Sequence, residues 1–407
     1  MQKFTLNRRT FSRTAGLAIA AATADVPAAT GAQDATPATT PASGGLAGML
    51  VLAPEEATWL DDAEWLGDPK SLTITYADIA AQLEVTGVTS PETVDDAAHP
   101  LWLAATRSLA LPVNPLQYHE SWRRDYGFDL FQTDETLELS LGQYNLTLLR
   151  GRFDNDAIRA TLTANGYRPV DVDGHEVFTL REDYHHDPTS DFAYKLAAMN
   201  HVALLEDGTI ACSSVQAAAA AVPDVAAGRA PSLMGVPGIA AIAEHAPADL
   251  VSATMMGGTT LAAGTSPALR DGDPNATPAF EWPTPDGSPA GELSPVEMAL
   301  IGSTAGGPLI GEDIETPPAV PDARAVAMML MQSPAAAQEA VPVVEARLAT
   351  GEAPTTGWAY SDLFAVWDVQ AVPSTPVLVI ELSLAPETRP HVLFDMLMRG
   401  DLGFLAW

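Results

Sequence analysis

The sequence contains a single cysteine, Cys212, among its 407 residues. No intrachain disulfide is therefore possible, and the fold must depend on burial of apolar side chains, which make up 47% of the chain. Lysine is nearly absent as well, since Lys3, Lys70 and Lys195 are the only ones. With 52 acidic and 20 basic residues the formal net charge is -32, which repels nucleic acid phosphates, so we expect no nucleic acid partner.

The sequence also lacks an uninterrupted apolar stretch of about 18 residues, the length that a transmembrane helix needs. The best candidate, residues 236–264, is interrupted by Glu244, His245 and Asp249. We therefore predict no integral membrane span in the mature chain.

Catalytic signatures are missing too. The Gly-x-Ser-x-Gly motif of many hydrolases is absent, and the nearest glycine-rich stretch, residues 255–259, has no lysine and the wrong spacing for a phosphate-binding loop. Cys212 lies among apolar residues in a predicted strand, which is typical of a buried, inert thiol. The sequence thus predicts no catalytic residue and no cofactor, and it favours a non-enzyme without deciding the question.

The N-terminus has the features of an export signal. Four basic residues precede a short apolar run at 15–22, and small residues at 30–32 offer a cleavage point. The basic residues are Lys3, Arg8, Arg9 and Arg13. This order is the secretory pattern, so residues 1–32 predict an extracytoplasmic protein of a prokaryote, secreted or associated with the cell envelope.

The pair Arg8-Arg9, followed by Phe11, resembles the twin-arginine signal, in which an apolar residue follows two arginines at a fixed step. Asn7 and Ser12 depart from the residues usual at those positions. The resemblance covers residues 1–32 only and concerns transport, so it implies export but no cofactor. An ordinary secretory signal with two adjacent arginines is the alternative.

Composition divides the rest of the chain. Residues 33–45 are rich in Ala, Thr, Pro, Ser and Gly, as in a flexible spacer. A first α+β region is predicted over 46–264 and a second over 324–407. Between them, residues 265–323 are rich in proline and glycine and predict a linker or long loop.

Local signals are clearest in the first region. Asp154 is placed to cap a helix over 155–164, directly after an apolar strand. Asp173-Gly174 and Asp207-Gly208 suit the tight turns of two β-hairpins, and an alanine-rich helix follows. Shorter stretches predict strands at 50–52 and a helix over 76–83.

The second region repeats this order. A strand at 325–331 is followed by a helix that Ser333 caps, then by two hairpin strands and a helix, and a short closing strand is expected at 404–405. We therefore predict an α+β fold of two similar strand–helix–hairpin–helix units with antiparallel sheets, joined by the Pro/Gly-rich linker. Residue identity does not show whether the units arose by duplication.

The densest group of possible metal ligands is His185, His186 and Asp187, with His201 a strand away. Imidazole nitrogens and carboxylate oxygens are the ligands that zinc accepts. The helical His-x-x-x-His spacing that aims two histidines at one ion is absent, and Asp187-Pro188 is typical of a turn. A polar loop is therefore the alternative.

A second group mixes aromatic and basic residues over 118–126. Such residues can form a carbohydrate or anion pocket, and His119 and Glu120 could serve as an acid/base pair. The alternative is a helix that packs Trp122 and Tyr126 inward at a spacing of four residues.

Together these features favour an exported acidic α+β protein that binds an unknown small molecule or envelope component without catalysing a reaction. One alternative is an exported metal-dependent hydrolase that uses His185, His186 and Asp187. The other is a structural protein of the cell envelope.

Overall fold

The computed structural model describes most of the chain beyond the predicted spacer. The described residues are 44–55, 72–93, 95, 96, 98–106, 122–141, 144–187, 189, 197–258, 260, 261, 293–305 and 322–406. The predicted export signal, 1–32, and the spacer up to residue 43 lie outside them.

Strands from both predicted α+β regions form one antiparallel sheet. They are β1 (Thr73–Asp78), β2 (Thr133–Leu141), β3 (Tyr144–Gly151), β4 (Arg168–Val172), β5 (His175–Thr179), β6 (His201–Leu204), β7 (Thr209–Ser213), β8 (Ser252–Gly257), β9 (Val296–Ser303), β10 (Arg324–Met331), β11 (Phe364–Ala371) and β12 (Val377–Leu384). The order across this 12-stranded sheet is β11-β12-β10-β9-β8-β1-β2-β3-β7-β6-β5-β4.

Helices accompany the sheet, so the predicted α+β class is confirmed. Those that lie wholly within the described residues are α1 (Gly45–Leu50), α2 (Ile79–Thr86), α3 (His99–Thr106), α4 (Asn155–Ala164), α5 (Gln216–Ala226), α6 (Pro237–His245), α7 (Pro334–Thr350), α8 (Tyr360–Leu363) and α9 (Val392–Arg399). Residues 122–126 are helical as well. Within this part of the chain, no helix has both the length and the apolar character to cross a bilayer.

The predicted caps and turns are confirmed where the sequence signal was local. The Asp154 carboxylate accepts the N–H groups of Asp156 and Ala157 at 3.0 and 3.1 Å and so begins α4. Asp173 and Gly174 both have positive φ, 55° and 88°, and join β4 to β5.

Three short predictions are wrong because brief apolar runs do not distinguish strand from helix. Residues 76–83 were expected to be helical, but the first three belong to β1, and Asp78 caps α2 by accepting Ala81 N–H at 2.7 Å. Residues 50–52 and 404–405 were expected to be strands. The first group ends α1 and continues into a turn, and the second lies in a 3-10 turn, Gly403–Leu405.

The arrangement of the sheet also differs from the prediction. Two antiparallel sheets were expected on either side of a linker at 265–323, but the strands of both regions belong to one sheet. Within that predicted linker, residues 296–303 form β9, which pairs with β8 and β10. Abundant proline and glycine nearby concealed this short, mostly buried strand.

The two faces of the sheet bury different clusters, because alternate residues of a strand point to opposite faces. On one face a large cluster that includes Leu137, Leu300 and Met328 lies beneath α1, α5 and α6. The opposite face carries two larger clusters, and Ala77 of β1 belongs to a small third one with Ile79 and Val251. One of the larger clusters lies beneath α7, α8 and α9, and the other lies beneath α4 and the aromatic residues of 122–131.

Candidate functional site

The predicted metal ligands lie in the loop after β5. His185 and His186 are exposed. The Asp187 carboxylate accepts hydrogen bonds from the Thr189 hydroxyl at 2.6 Å and the Thr189 N–H at 2.9 Å. These bonds, with Arg181 at 3.5 Å, hold the pKa of Asp187 below its ordinary value. In the described ranges, no group of three or more His, Cys, Asp or Glu side chains is placed to hold a metal ion.

The first carboxylate of the same loop has a different partner. Asp183 Oδ1 lies 2.9 Å from His201 Nε2. His201 Nδ1 lies 3.2 Å from the Thr179 hydroxyl, and Gln216 donates to both Thr179 and Asp183. Burial alone would raise the pKa of Asp183, but its contacts with His201 and Gln216 lower it.

In this carboxylate–imidazole–hydroxyl series, His201 and Thr179 are buried, and the Asp183 side chain is partly exposed. Asp183 belongs to the loop, Thr179 ends β5, His201 begins β6 and Gln216 begins α5. The network therefore stabilises the position of the loop against the sheet.

The aromatic and basic segment at 118–126 is only partly described, because residues 107–121 lie outside the described ranges. Trp122 and Tyr126 are buried, with ring centroids 5.2 Å apart, and Trp122 also packs against Phe128. The inward-packing alternative is thus confirmed for these two residues. Cys212 is buried in the same cluster, as predicted.

A cavity of about 410 Å³ lies in the C-terminal part of the chain, and we call it the Trp358 cavity. The loop between α7 and α8, the loop between β12 and α9, and α8 and α9 themselves contribute to it. Its lining residues are Trp358, Asp362, Leu363, Glu387, Thr388, Arg389, Val392, Asp395, Met396, Arg399 and Asp401.

The apolar walls of the Trp358 cavity come from Trp358, Leu363, Val392 and Met396. Trp358 is 46% exposed, which is unusual for so large an apolar side chain. The guanidinium carbon of Arg399 lies 5.9 Å from the centroid of the Trp358 ring, within the range of a cation–π interaction. That contact fixes one side of the indole.

The end of α9 sets the position of Asp401. Gly400 follows the helix with φ 74°, a left-handed conformation that glycine adopts without strain. The Gly400 N–H donates to Leu397 O at 3.2 Å, and the Asp401 N–H donates to Met396 O at 2.8 Å. This pair of bonds is a Schellman motif, which ends the helix and places Asp401 beside its last turn.

Asp401 connects the end of α9 to the loop that carries Trp358. Its Oδ1 accepts the N–H groups of Thr355 at 2.6 Å and Thr356 at 3.2 Å. Its backbone oxygen accepts the Tyr360 hydroxyl at 2.9 Å. Burial raises the pKa of the Tyr360 phenol, which therefore remains a neutral donor. These bonds attach the residue that follows α9 to the loop that carries Trp358 and to the start of α8.

A second cavity, of about 630 Å³, lies near β5 and α5, and charged residues dominate its lining. Most of those charges are already paired. Arg159 lies 3.1 Å from Glu176, while His175 and Arg229 lie 2.8 and 2.6 Å from Asp224. The contacts with His175 and Arg229 lower the pKa of Asp224. Protein partners therefore already engage most of the charged groups of this cavity.

A row of polar side chains crosses the centre of the sheet, between the two clusters of one face. Strand register aligns Thr254, Thr75, Glu138 and Thr147 on β8, β1, β2 and β3. Glu138 Oε1 accepts a hydrogen bond from Asn145 at 2.6 Å. Burial nevertheless raises the pKa of Glu138 to about 7.

The chain matches no protein-family model, curated protein or solved structure. The chemistry of the cavities must therefore be interpreted from the residues themselves. Sequence reasoning missed Trp358 and Asp401, which are far apart in the chain. The one local signal was glycine at position 400 after an amphipathic helix, which predicts the motif that orients Asp401.

Proposed function

We propose that the chain is an exported, non-enzymatic binding protein whose small-molecule ligand occupies the Trp358 cavity. The observation that carries this proposal is a cavity of about 410 Å³ in which an exposed indole and three other apolar side chains lie beside charged ones. Ligand sites typically measure about 300–1,000 Å³ and combine apolar walls with a few polar groups. The Trp358 cavity has this size and composition.

Export through a twin-arginine-like signal is part of the proposal. It is supported by the basic, apolar and small-residue segments of 1–32 and by Arg8-Arg9 within them. The high negative charge also suits a protein that must stay soluble outside the cytoplasm. The ligand would then be a small molecule of the exterior or a component of the envelope.

We also propose that the fold consists of two similar units. In the first, the β2–β3 hairpin precedes α4, and the β6–β7 hairpin precedes α5. In the second, the β9–β10 hairpin precedes α7, and the β11–β12 hairpin precedes α9. The β4–β5 hairpin is an addition to the first unit. This repeated order supports the two-unit interpretation, with the Trp358 cavity in the second unit.

The binding proposal is tested by thermal denaturation of the purified mature protein with a diverse library of small organic molecules. A ligand that binds the native state raises stability by mass action, by about 2.7 kcal/mol at a concentration of 100 times Kd. We expect at least one such compound, and we expect Trp358→Ala to abolish its effect.

Phe394→Ala is the matched control, because Phe394 is an exposed aromatic residue that does not line the Trp358 cavity. It should respond to the compound as the wild type does. A library without a stabilising compound, or a compound whose effect survives Trp358→Ala, contradicts the proposal.

A further inference from the structure

The buried carboxylate of the Trp358 cavity is incompletely paired. Asp401 is 1% exposed and lines the cavity. Its Oδ1 accepts two backbone N–H groups, whereas its Oδ2 has no hydrogen-bond or ion-pair partner among the described residues. Buried carboxylates are normally paired or fully hydrogen-bonded, because an unpaired buried charge is costly. A hydrogen-bond donor from a ligand would give Asp401 Oδ2 the partner that it lacks.

The charges around Asp401 favour a donor that is positive. The Trp358 cavity is lined by four carboxylates and two guanidinium groups. The side chains of Asp362 and Glu387 make no ion pair or hydrogen bond within the described ranges, whereas Arg399 stacks on Trp358. The C-terminal end of α9, which carries partial negative charge, lies at the same place. The net charge of -32 also concentrates cations near the surface.

We propose that the ligand of the Trp358 cavity is a primary or secondary ammonium ion with an apolar body, and that Asp401 Oδ2 accepts its N–H. This inference rests on the proposed binding function and names the chemical class of the ligand. The apolar body packs against Trp358, Leu363 and Met396. A quaternary ammonium ion has no N–H to donate and binds less well.

Three probes of one shape and different charge test the inference by isothermal titration calorimetry at neutral pH and low salt. They are phenethylamine, phenethyl alcohol and phenylpropionate. We expect phenethylamine to bind at least tenfold more tightly than the alcohol, and phenylpropionate to bind most weakly. Added salt should weaken the binding of the amine and leave that of the alcohol unchanged, because screening reduces only the charge interaction.

The variant Asp401→Asn removes the charge and keeps a carbonyl oxygen that can accept the N–H groups of Thr355 and Thr356. We expect its affinity for phenethylamine to fall at least tenfold and its affinity for phenethyl alcohol to change less than twofold. Retained binding of the alcohol shows that the cavity is intact. The matched control is Asp362→Asn at the exposed rim, which should lower amine affinity less than threefold.

Equal affinity for the amine and the alcohol, tighter binding of phenylpropionate, or full amine affinity in Asp401→Asn would each overturn the inference. A cavity that binds the neutral probe as well as the amine leaves the proposed binding function standing. Absence of binding by all three probes overturns the ammonium assignment, and the library screen then decides the proposed function separately. If Asp401→Asn does not fold, the comparison of the three probes on the wild type still decides.

Discussion

Glu138 on β2 accepts a 2.6 Å hydrogen bond from Asn145 on β3, yet burial raises the pKa of Glu138 to about 7. One amide donor therefore does not compensate for the water that the carboxylate loses. Glu138 is mostly protonated below neutral pH in the folded chain, in the middle of a polar row shared by four strands.

The raised pKa of Glu138 predicts a loss of stability as the pH rises. The unfolded carboxyl has a pKa of 4.5, so the folded state binds its proton more tightly. The contribution of the protonated Glu138 side chain to the free energy of unfolding is fully present below about pH 4.5. It is lost as the pH rises through about 7.

Glu138→Gln keeps an oxygen that can accept from Asn145 and removes the ionisation. We expect it to be more stable than the wild type at pH 8 by up to about 3 kcal/mol, with little difference at pH 5. Urea denaturation at the two pH values measures this. Equal stability at pH 8 would show that Glu138 ionises without cost.

The buried His201 predicts a large effect of substitution. His201→Ala removes the imidazole that contacts Asp183 and opens a cavity, so we expect destabilisation of about 2–4 kcal/mol. His186→Ala, in the exposed part of the same loop, is the control and should change the free energy of unfolding by less than about 0.5 kcal/mol. Similar effects of the two variants would contradict a structural role for the Asp183–His201 network.

The cap of α4 gives a smaller prediction. Asp154→Ala removes the acceptor of two N–H groups and should destabilise the fold by about 1 kcal/mol in chemical denaturation. Asp156→Ala is the matched control. Asp156 lies two residues after Asp154, in the first turn of α4, and its side chain is 98% exposed. Should Asp156→Ala cost as much as Asp154→Ala, the effect would come from charge near the helix terminus and not from the cap.

The metal-dependent alternative has its own test. We expect elemental analysis of the mature protein, purified natively without chelator, to show no stoichiometric zinc, iron or manganese. The Asp187 carboxylate already accepts two bonds from Thr189, which supports this expectation. One metal ion per chain, lost in the His185→Ala/His186→Ala double variant, would instead favour the hydrolase.

Export is tested by fusing residues 1–32 to a reporter that folds before transport. Replacing Arg8 and Arg9 together with lysine keeps the positive charge but removes the paired arginines that the twin-arginine route reads. We expect the exported fraction of the reporter to fall at least tenfold. Unchanged export would favour an ordinary secretory signal.

Local signals predicted much of the fold. Asp154, Asp173-Gly174 and Ser333 each act through backbone groups a few residues away, so the sequence alone reveals their helices and turns. The strands β2, β8 and β9 were missed, because short apolar runs become strands only when distant partners pair with them.

The candidate site could not be predicted for the same reason. Trp358 and Asp401 line one cavity only after α7, α8 and α9 have packed over the second region of the sheet. The histidines that the sequence emphasised are exposed in a loop. Residues that are close in sequence were therefore a poor guide to residues that converge in space.

The pairing of β1 with β8 has a consequence for biogenesis. Thr75 lies opposite Thr254, so the middle of the sheet forms only after most of the chain has been synthesised. Until then β1 has an open edge that can pair with another chain. Contacts so distant in sequence form slowly. A nascent chain therefore exposes β1 to pairing with other chains until β8 has been synthesised, and a fragment that ends before β8 would keep that edge open.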